Sequence, residues 1–544
     1  MTKAAEQDLA DAVNRTSAVG RAVSGLAVRQ VRRGALVVLA VVAGTSALVA
    51  VQYRLVFADT FDAASLRALA ENPAIRTLFG EPVALADPGG FTVWRTGTFV
   101  AVLVGVWALL AATRITRGEE DAGRWDLLLA SRLPVPAVLA RQLTVLAGAG
   151  LLIGLVLAGT MIVAGTAPGG SLRYGLAVGL VATGFGALGA LTAQLAADRP
   201  TASGLAAAAL AGGLFLRMVA DGVESLRWAR WTTPFGLLAE IQPYAANRTA
   251  PLFVLAAATG TLSVLALAAA GRRDVGAGVL PGRDIRPPRV RLLRSLAGFA
   301  ARRSLRSLAA WATGLATYYL LIGLLADSLT GFLADNPRYA ELAAQAGLVS
   351  LGTVEGYVAA LFALLAIPVG VYAAVRISLD ASDETNHRLA LLLALPVSRA
   401  RWAATEAGAV VVAVTLLALV SGAAAWAGAA LVGARLGLGD ALAGVVNGLP
   451  VVLLCLGAAL LALGWAPSAV VPVGALPAAG GFLLQALAQS FGWPAWVGQL
   501  SPFSHVAAVP AEPPDWPGAL GILAVAATLA VVGIAGYARR DLRG

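Results

Sequence analysis

Apolar stretches of about 20 residues recur a dozen times along this 544-residue chain, and nothing else in the sequence constrains the fold as much. Each is long enough to cross a hydrocarbon core of ~30 Å as a helix. Inside lipid a backbone N–H or C=O has no water to bond, so a spanning segment must be a helix or part of a closed barrel. The strict alternation of barrel strands is absent. Only 13% of the residues are charged, roughly half the share expected of a soluble domain. The chain reads as an all-α integral membrane protein. Spans are expected near 34–56, 97–114, 137–165, 173–197, 202–220, 250–270, 308–329, 357–378, 402–432, 441–464, 468–489 and 518–537. Residues 1–20 are polar and hold no apolar core, so no cleavable signal peptide is expected. The single cysteine, Cys455, lies within an apolar run, which excludes an intrachain disulfide.

The net charge of +10 would point to nucleic acid in a soluble protein. Here it follows from the placement of arginines beside spans. Most of them fall on one side if both termini are cytoplasmic, which is the orientation the positive-inside bias selects. No nucleic-acid partner is implied. The expected location is a bacterial plasma membrane, multi-pass, with both termini in the cytoplasm.

The chain is also a tandem repeat. LAVRQVRRGAL (26–36) faces LAGFAARRSLR (296–306). Glu119, Glu120, Arg124 and Leu127 face Asp383, Glu384, Arg388 and Leu391, in the segments EEDAGRWDLLLA and DETNHRLALLLA. Trp228, Pro234 and Phe235 face Trp496, Pro502 and Phe503, and Arg272-Arg273-Asp274 faces Arg539-Arg540-Asp541. Six spans per repeat give both halves the same orientation, so the repeats are parallel. The expected organisation is a first six-helix half over 1–270 and an Arg- and Pro-rich cytosolic linker over 271–295. A second six-helix half follows over 296–544. A translocation path is expected where the halves meet.

Four elements carry mechanism. Each half is preceded by a basic amphipathic stretch, with Arg21, Arg29, Arg32 and Arg33 in the first, expected to lie as an elbow helix against anionic lipid. The repeated acidic segment between the second and third spans reads as a short cytosolic helix, with Glu120–Arg124 and Glu384–Arg388 at i,i+4 spacing. Its eight matched residues, Glu119, Glu120, Arg124, Leu127, Asp383, Glu384, Arg388 and Leu391, are candidate docking residues for a cytosolic motor. Before each sixth span, Trp228, Pro234, Phe235, Trp496, Pro502 and Phe503 mark an aromatic belt and a candidate outer gate. Phe215, Met218, Phe482 and Gln485, on the fifth and eleventh spans, are candidate lining residues of a largely apolar substrate chamber.

What is missing matters equally. There is no G-x-x-x-x-G-K-[ST] loop, so the chain is not expected to hydrolyse ATP itself. No Asp, Glu or Lys sits at the middle of a span, which argues against a proton- or sodium-coupled carrier. His387 and His505 stand at unrelated positions with no metal-ligand spacing and read as structural.

The ordered, repeated markers EEDAGRWDLLLA (119–130), DETNHRLALLLALPVSR (383–399), SPFSH (501–505) and the trailing Arg-Arg-Asp resemble an ABC-2 type permease. More narrowly, the chain resembles the fused, double-length actinobacterial exporters of tetronasin and other polyketide antibiotics. The resemblance runs nearly end to end. It implies a separate ATPase subunit in two copies, which binds ATP and Mg2+ and grips one coupling helix per half; the permease itself holds no cofactor. It also implies amphiphilic substrates such as antibiotics, drugs or lipids. The first copy departs from the second by inserting Ser131-Arg132 before Leu133-Pro134-Val135, so unequal geometry is expected at the two grips. A 6+6 secondary drug/proton antiporter is the alternative.

Overall fold

A computed structural model describes residues 3–54, 72, 75–77, 80–130, 133–280, 292–336, 353–385, 389, 394, 396–490 and 493–540. For residues 3–18, 127, 128, 385, 489 and 490 it describes the backbone alone. The described residues are helical or irregular, with no strand among them. They contain 12 helices long and apolar enough to cross a membrane. The protein is a multi-pass, all-α membrane protein. It divides into two compact units, Met1–Pro287 and Pro288–Gly544.

The spans of the first unit are Val19–Gln52, Pro88–Asp121, Val135–Val163, Pro168–Leu195, Arg199–Gly222 and Ala250–Ala270. All but the first of them open on a proline at their first or second position, where its missing N–H costs nothing. Asp87 caps the second span by accepting from the N–H groups of Gly89 and Gly90 at 2.8 and 3.1 Å. The fourth span is the most enclosed. It lies against the third through paired glycines: a Cβ added to Gly154 would stand 2.1 Å from the Gly175 carbonyl oxygen, and one on Gly175 2.3 Å from that of Gly154. Lipid offers helices no hydrophobic drive to associate, so such close backbone approach supplies packing in its place.

The spans of the second unit are Leu296–Asp335, Val354–Glu384, Arg399–Leu431, Leu438–Trp465, Pro467–Ala488 and Trp516–Arg539. Three of these are interrupted. The first breaks between Leu324 and Ala326, the fourth at Gly448 ahead of Pro450, and the fifth through a π-helical turn, Leu476–Gly480, holding Pro477.

The elbow helices expected before each half are not separate elements. One helix runs unbroken from Lys3 to Gln52, and another from Leu296 to Leu324, each carrying its basic stretch straight into the span. No proline interrupts either junction, and Gly34 keeps helical geometry. Arg21, Arg29, Arg32 and Arg33 are exposed along the first of these helices.

Candidate functional site

The acidic pair sits at the end of the second span, not on a free cytosolic helix. That span continues from Thr113 through a π-turn, Arg114–Gly118, into Glu119–Asp121. Ala122 and Gly123 then turn the chain, Gly123 with φ +70°, a conformation that glycine adopts without strain. A six-residue helix follows, Arg124–Leu129. Trp125 anchors it, almost wholly buried with Val23, Leu133 and Val138. Asp121, Arg124, Asp126 and Ala130 remain exposed.

The ion pairing differs from the expected i,i+4 arrangement. Arg124 donates to both carboxylate oxygens of Glu119, each at 2.7 Å. That bond raises the Arg124 guanidinium above its ordinary pKa. Glu120 instead faces inward. Its side chain is 2% exposed and takes two hydrogen bonds of 2.6 Å from Arg273, one from the Gly276 N–H at 2.7 Å, and an ion pair with Arg117 at 3.1 Å. Arg117 also donates to the carbonyls of Ala193 and Ala277 at 3.0 and 2.9 Å. Burial of a carboxylate demands such saturation, and the turn at Gly123 leaves Arg124 nearer to Glu119.

The second unit repeats the inward contact. Glu384, buried, is bonded by Arg540, which also passes its backbone carbonyl to Arg399. Arg273 and Arg540 are the middle residues of the two Arg-Arg-Asp triplets. In each unit, then, the residue just after the sixth span clamps the second acid at the end of the second span. Asp383 pairs with Arg303 at 2.5 Å, and Arg303 also reaches Asp380 and Glu406 at 3.4 and 2.9 Å. Arg388 and Leu391 lie outside the described residues, and Leu127 is described by its backbone alone, so the expected Glu384–Arg388 pair lies there too.

The other candidates scatter. Phe215 is exposed and Met218 buried on the fifth span. Phe482 is exposed, while Gln485 accepts a bond from Ser501. Trp228 and Trp496 are exposed; Pro234 and Pro502 are half-buried. Phe235 is buried against Phe185, with ring centroids 5.6 Å apart, whereas Phe503 meets Phe482 edge-on at 6.1 Å. Candidate path and gate residues therefore touch in the second unit. His505 bonds the Gln499 carbonyl at 2.9 Å, and His387 lies outside the described residues. Among the described residues no cluster fits a metal ion.

Sequence reasoning missed a second polar centre, on the opposite side of the first unit. Asp221 lies between Arg217 and Arg230, at 2.5 and 2.6 Å. Arg230 also pairs with Glu81 at 2.7 Å and Glu240 at 3.4 Å. Burial would raise the Glu81 carboxyl, but its bond from Arg230 and the charge of Arg227 hold it below the ordinary value. The acids and arginines were visible in the sequence; their convergence joins positions far apart in it, which no spacing reveals.

Residues 293–538 match the family model described as the C-terminal domain of the multidrug efflux system permease Rv1217c. The multidrug efflux system permease protein Rv1217c of Mycobacterium tuberculosis (strain ATCC 25618 / H37Rv) is 31% identical over 371 residues. That stretch is 67% of this chain and 65% of the relative, just under two thirds of the relative's length.

Proposed function

From its similarity to multidrug efflux system permeases, we propose that the chain is the membrane subunit of an ATP-driven ABC-2 type exporter of amphiphilic compounds. ATP and Mg2+ are bound by a separate ATPase, in two copies, each docking against one short segment that follows a second span. In the first unit that segment is Arg124–Ala130, whose exposed Arg124, Asp126 and Ala130 face away from the Trp125 anchor. The termini and these segments lie on the cytosolic side of a bacterial plasma membrane.

The observation that most supports this reading is the clamp present in both units. A docking segment that is to move a membrane domain needs a stiff attachment to it. Two charge-assisted contacts to buried carboxylates, Arg273–Glu120 and Arg540–Glu384, supply that attachment at equivalent places. A solvated loop with no mechanical role would not require a buried ion pair, whose desolvation is costly. The test is reconstitution with the ATPase. Drug should stimulate ATP hydrolysis in the complex, and Asp126→Arg should reduce the stimulation without disturbing the fold. Undiminished stimulation in that variant would remove the Arg124–Ala130 segment from the docking role.

A further inference from the structure

The second polar centre of the first unit borders an open cleft between the start of the second span and the end of the fifth. Its walls include Trp94 and Phe235, and its polar edge is formed by Glu81, Thr98, Arg217 and Arg230. The mixture of aromatic walls with a few convergent polar groups is that of a small-molecule site. We propose that this cleft binds amphiphiles carrying an acidic group, with the anionic oxygen received by Arg230.

Three observations converge on that chemistry. First, Arg230 is 2% exposed, and its Nη2 has no hydrogen-bond partner. A buried guanidinium donor left unbonded is costly, and a ligand oxygen would satisfy it. Second, the centre holds four guanidinium groups, Arg217, Arg227, Arg230 and Arg248, against three carboxylates, Glu81, Asp221 and Glu240. The excess is positive, so the field favours an anion over a cation.

Third, the repeat serves as an internal control on what the fold requires. The segment from the fifth span to Phe235 aligns without gaps to that ending at Phe503. In the second unit Gln485 stands where Arg217 does, Gln489 where Asp221 does and Gly498 where Arg230 does. That unit still forms the short helical segments, with Ser501 capping where Thr233 caps. Folding the segment does not need the charges. Buried ion networks seldom improve on apolar packing in stability, so their retention in one copy alone points to a ligand.

The inference rests on the exporter reading for the amphiphilic class of ligand, but its test needs no ATPase. The full-length chain carrying Cys455→Ser and Val93→Cys, which lines the cleft, is labelled with a water-soluble maleimide. Protection by laurate is compared with protection by dodecanol and by dodecyltrimethylammonium. Laurate should protect at about tenfold lower concentration than dodecanol, the worth of one charge-assisted bond. Arg230→Gln should bring that ratio close to one, while Arg230→Lys should keep most of it. Equal protection by laurate and dodecanol, better protection by the ammonium, or no protection at all would overturn the proposal even if the Arg230 variants fail to fold. A separate pumping assay judges the exporter reading, so selective laurate protection without pumping would sink that reading and leave the site standing.

Discussion

Arg273 holds Glu120 with two parallel hydrogen bonds of 2.6 Å across 153 positions of sequence, and both side chains are 2% exposed. The contact ties the end of the second span to the residues just after the sixth. Arg540 and Glu384 make the equivalent contact in the second unit.

Removing one partner of such a pair leaves a buried charge unmatched. Glu120→Arg is therefore expected to destabilise the first unit by about 3–5 kcal/mol. The exchange Glu120→Arg with Arg273→Glu should recover a large part of this loss. Thermal unfolding of the purified chain in detergent measures both. A double exchange no more stable than either single change would show that the two residues do not act as a pair.

The docking segment should separate stability from coupling. Trp125→Ala removes an almost fully buried side chain and should cost about 3–5 kcal/mol. Asp126→Arg, at an exposed position, should change stability by no more than about 0.5 kcal/mol. It should nevertheless weaken stimulation of the partner ATPase by drug. Comparing melting with ATPase rates for the two variants checks the division.

Much of this arrangement is legible in the sequence, because lipid forces helices and the duplicated sequence marks equivalent positions. The Glu-Glu pair and the Arg-Arg-Asp triplet both stand out by recurrence. That they bind each other does not, since nothing local links a position after the sixth span to one at the end of the second. The i,i+4 rule misassigned Arg124 to Glu120 because it assumes a continuous helix, and Gly123 interrupts that helix. The elbow reading failed for the converse reason. A basic amphipathic stretch beside a span has the same composition whether it bends or runs straight, and here no breaker bends it.

The third and fourth spans should tolerate no side chain at their crossing. Gly154→Val or Gly175→Val would place atoms against backbone carbonyls, which cannot yield as a flexible side chain can. Overpacking of this kind costs about 1–3 kcal/mol or more. Gly159→Val, on the same span but facing open space, is the control and should melt like the parent.

Acid should loosen the segment of the first unit that follows the fifth span. Glu81 is held below the ordinary carboxylate value of 4.5, so its ion pairs contribute stability above that value and lose it as pH falls through the lower, folded-state value. Hydrogen exchange over residues 224–240, corrected for intrinsic rates, should be steady from neutral pH down to about 4.5 and rise below it. In Glu81→Gln the rise should be absent. A rise that persists in that variant would assign the acid sensitivity to another group.

The most direct test of the exporter reading is drug movement in sealed proteoliposomes holding this chain with its partner ATPase. Lipophilic drug should move only with the ATPase present, ATP and Mg2+ on its side, and the Glu120 and Glu384 clamps intact. A protonophore should not stop it. Transport that continues without the ATPase, or that collapses with the proton gradient while ATP persists, would contradict the account and favour a proton-coupled carrier.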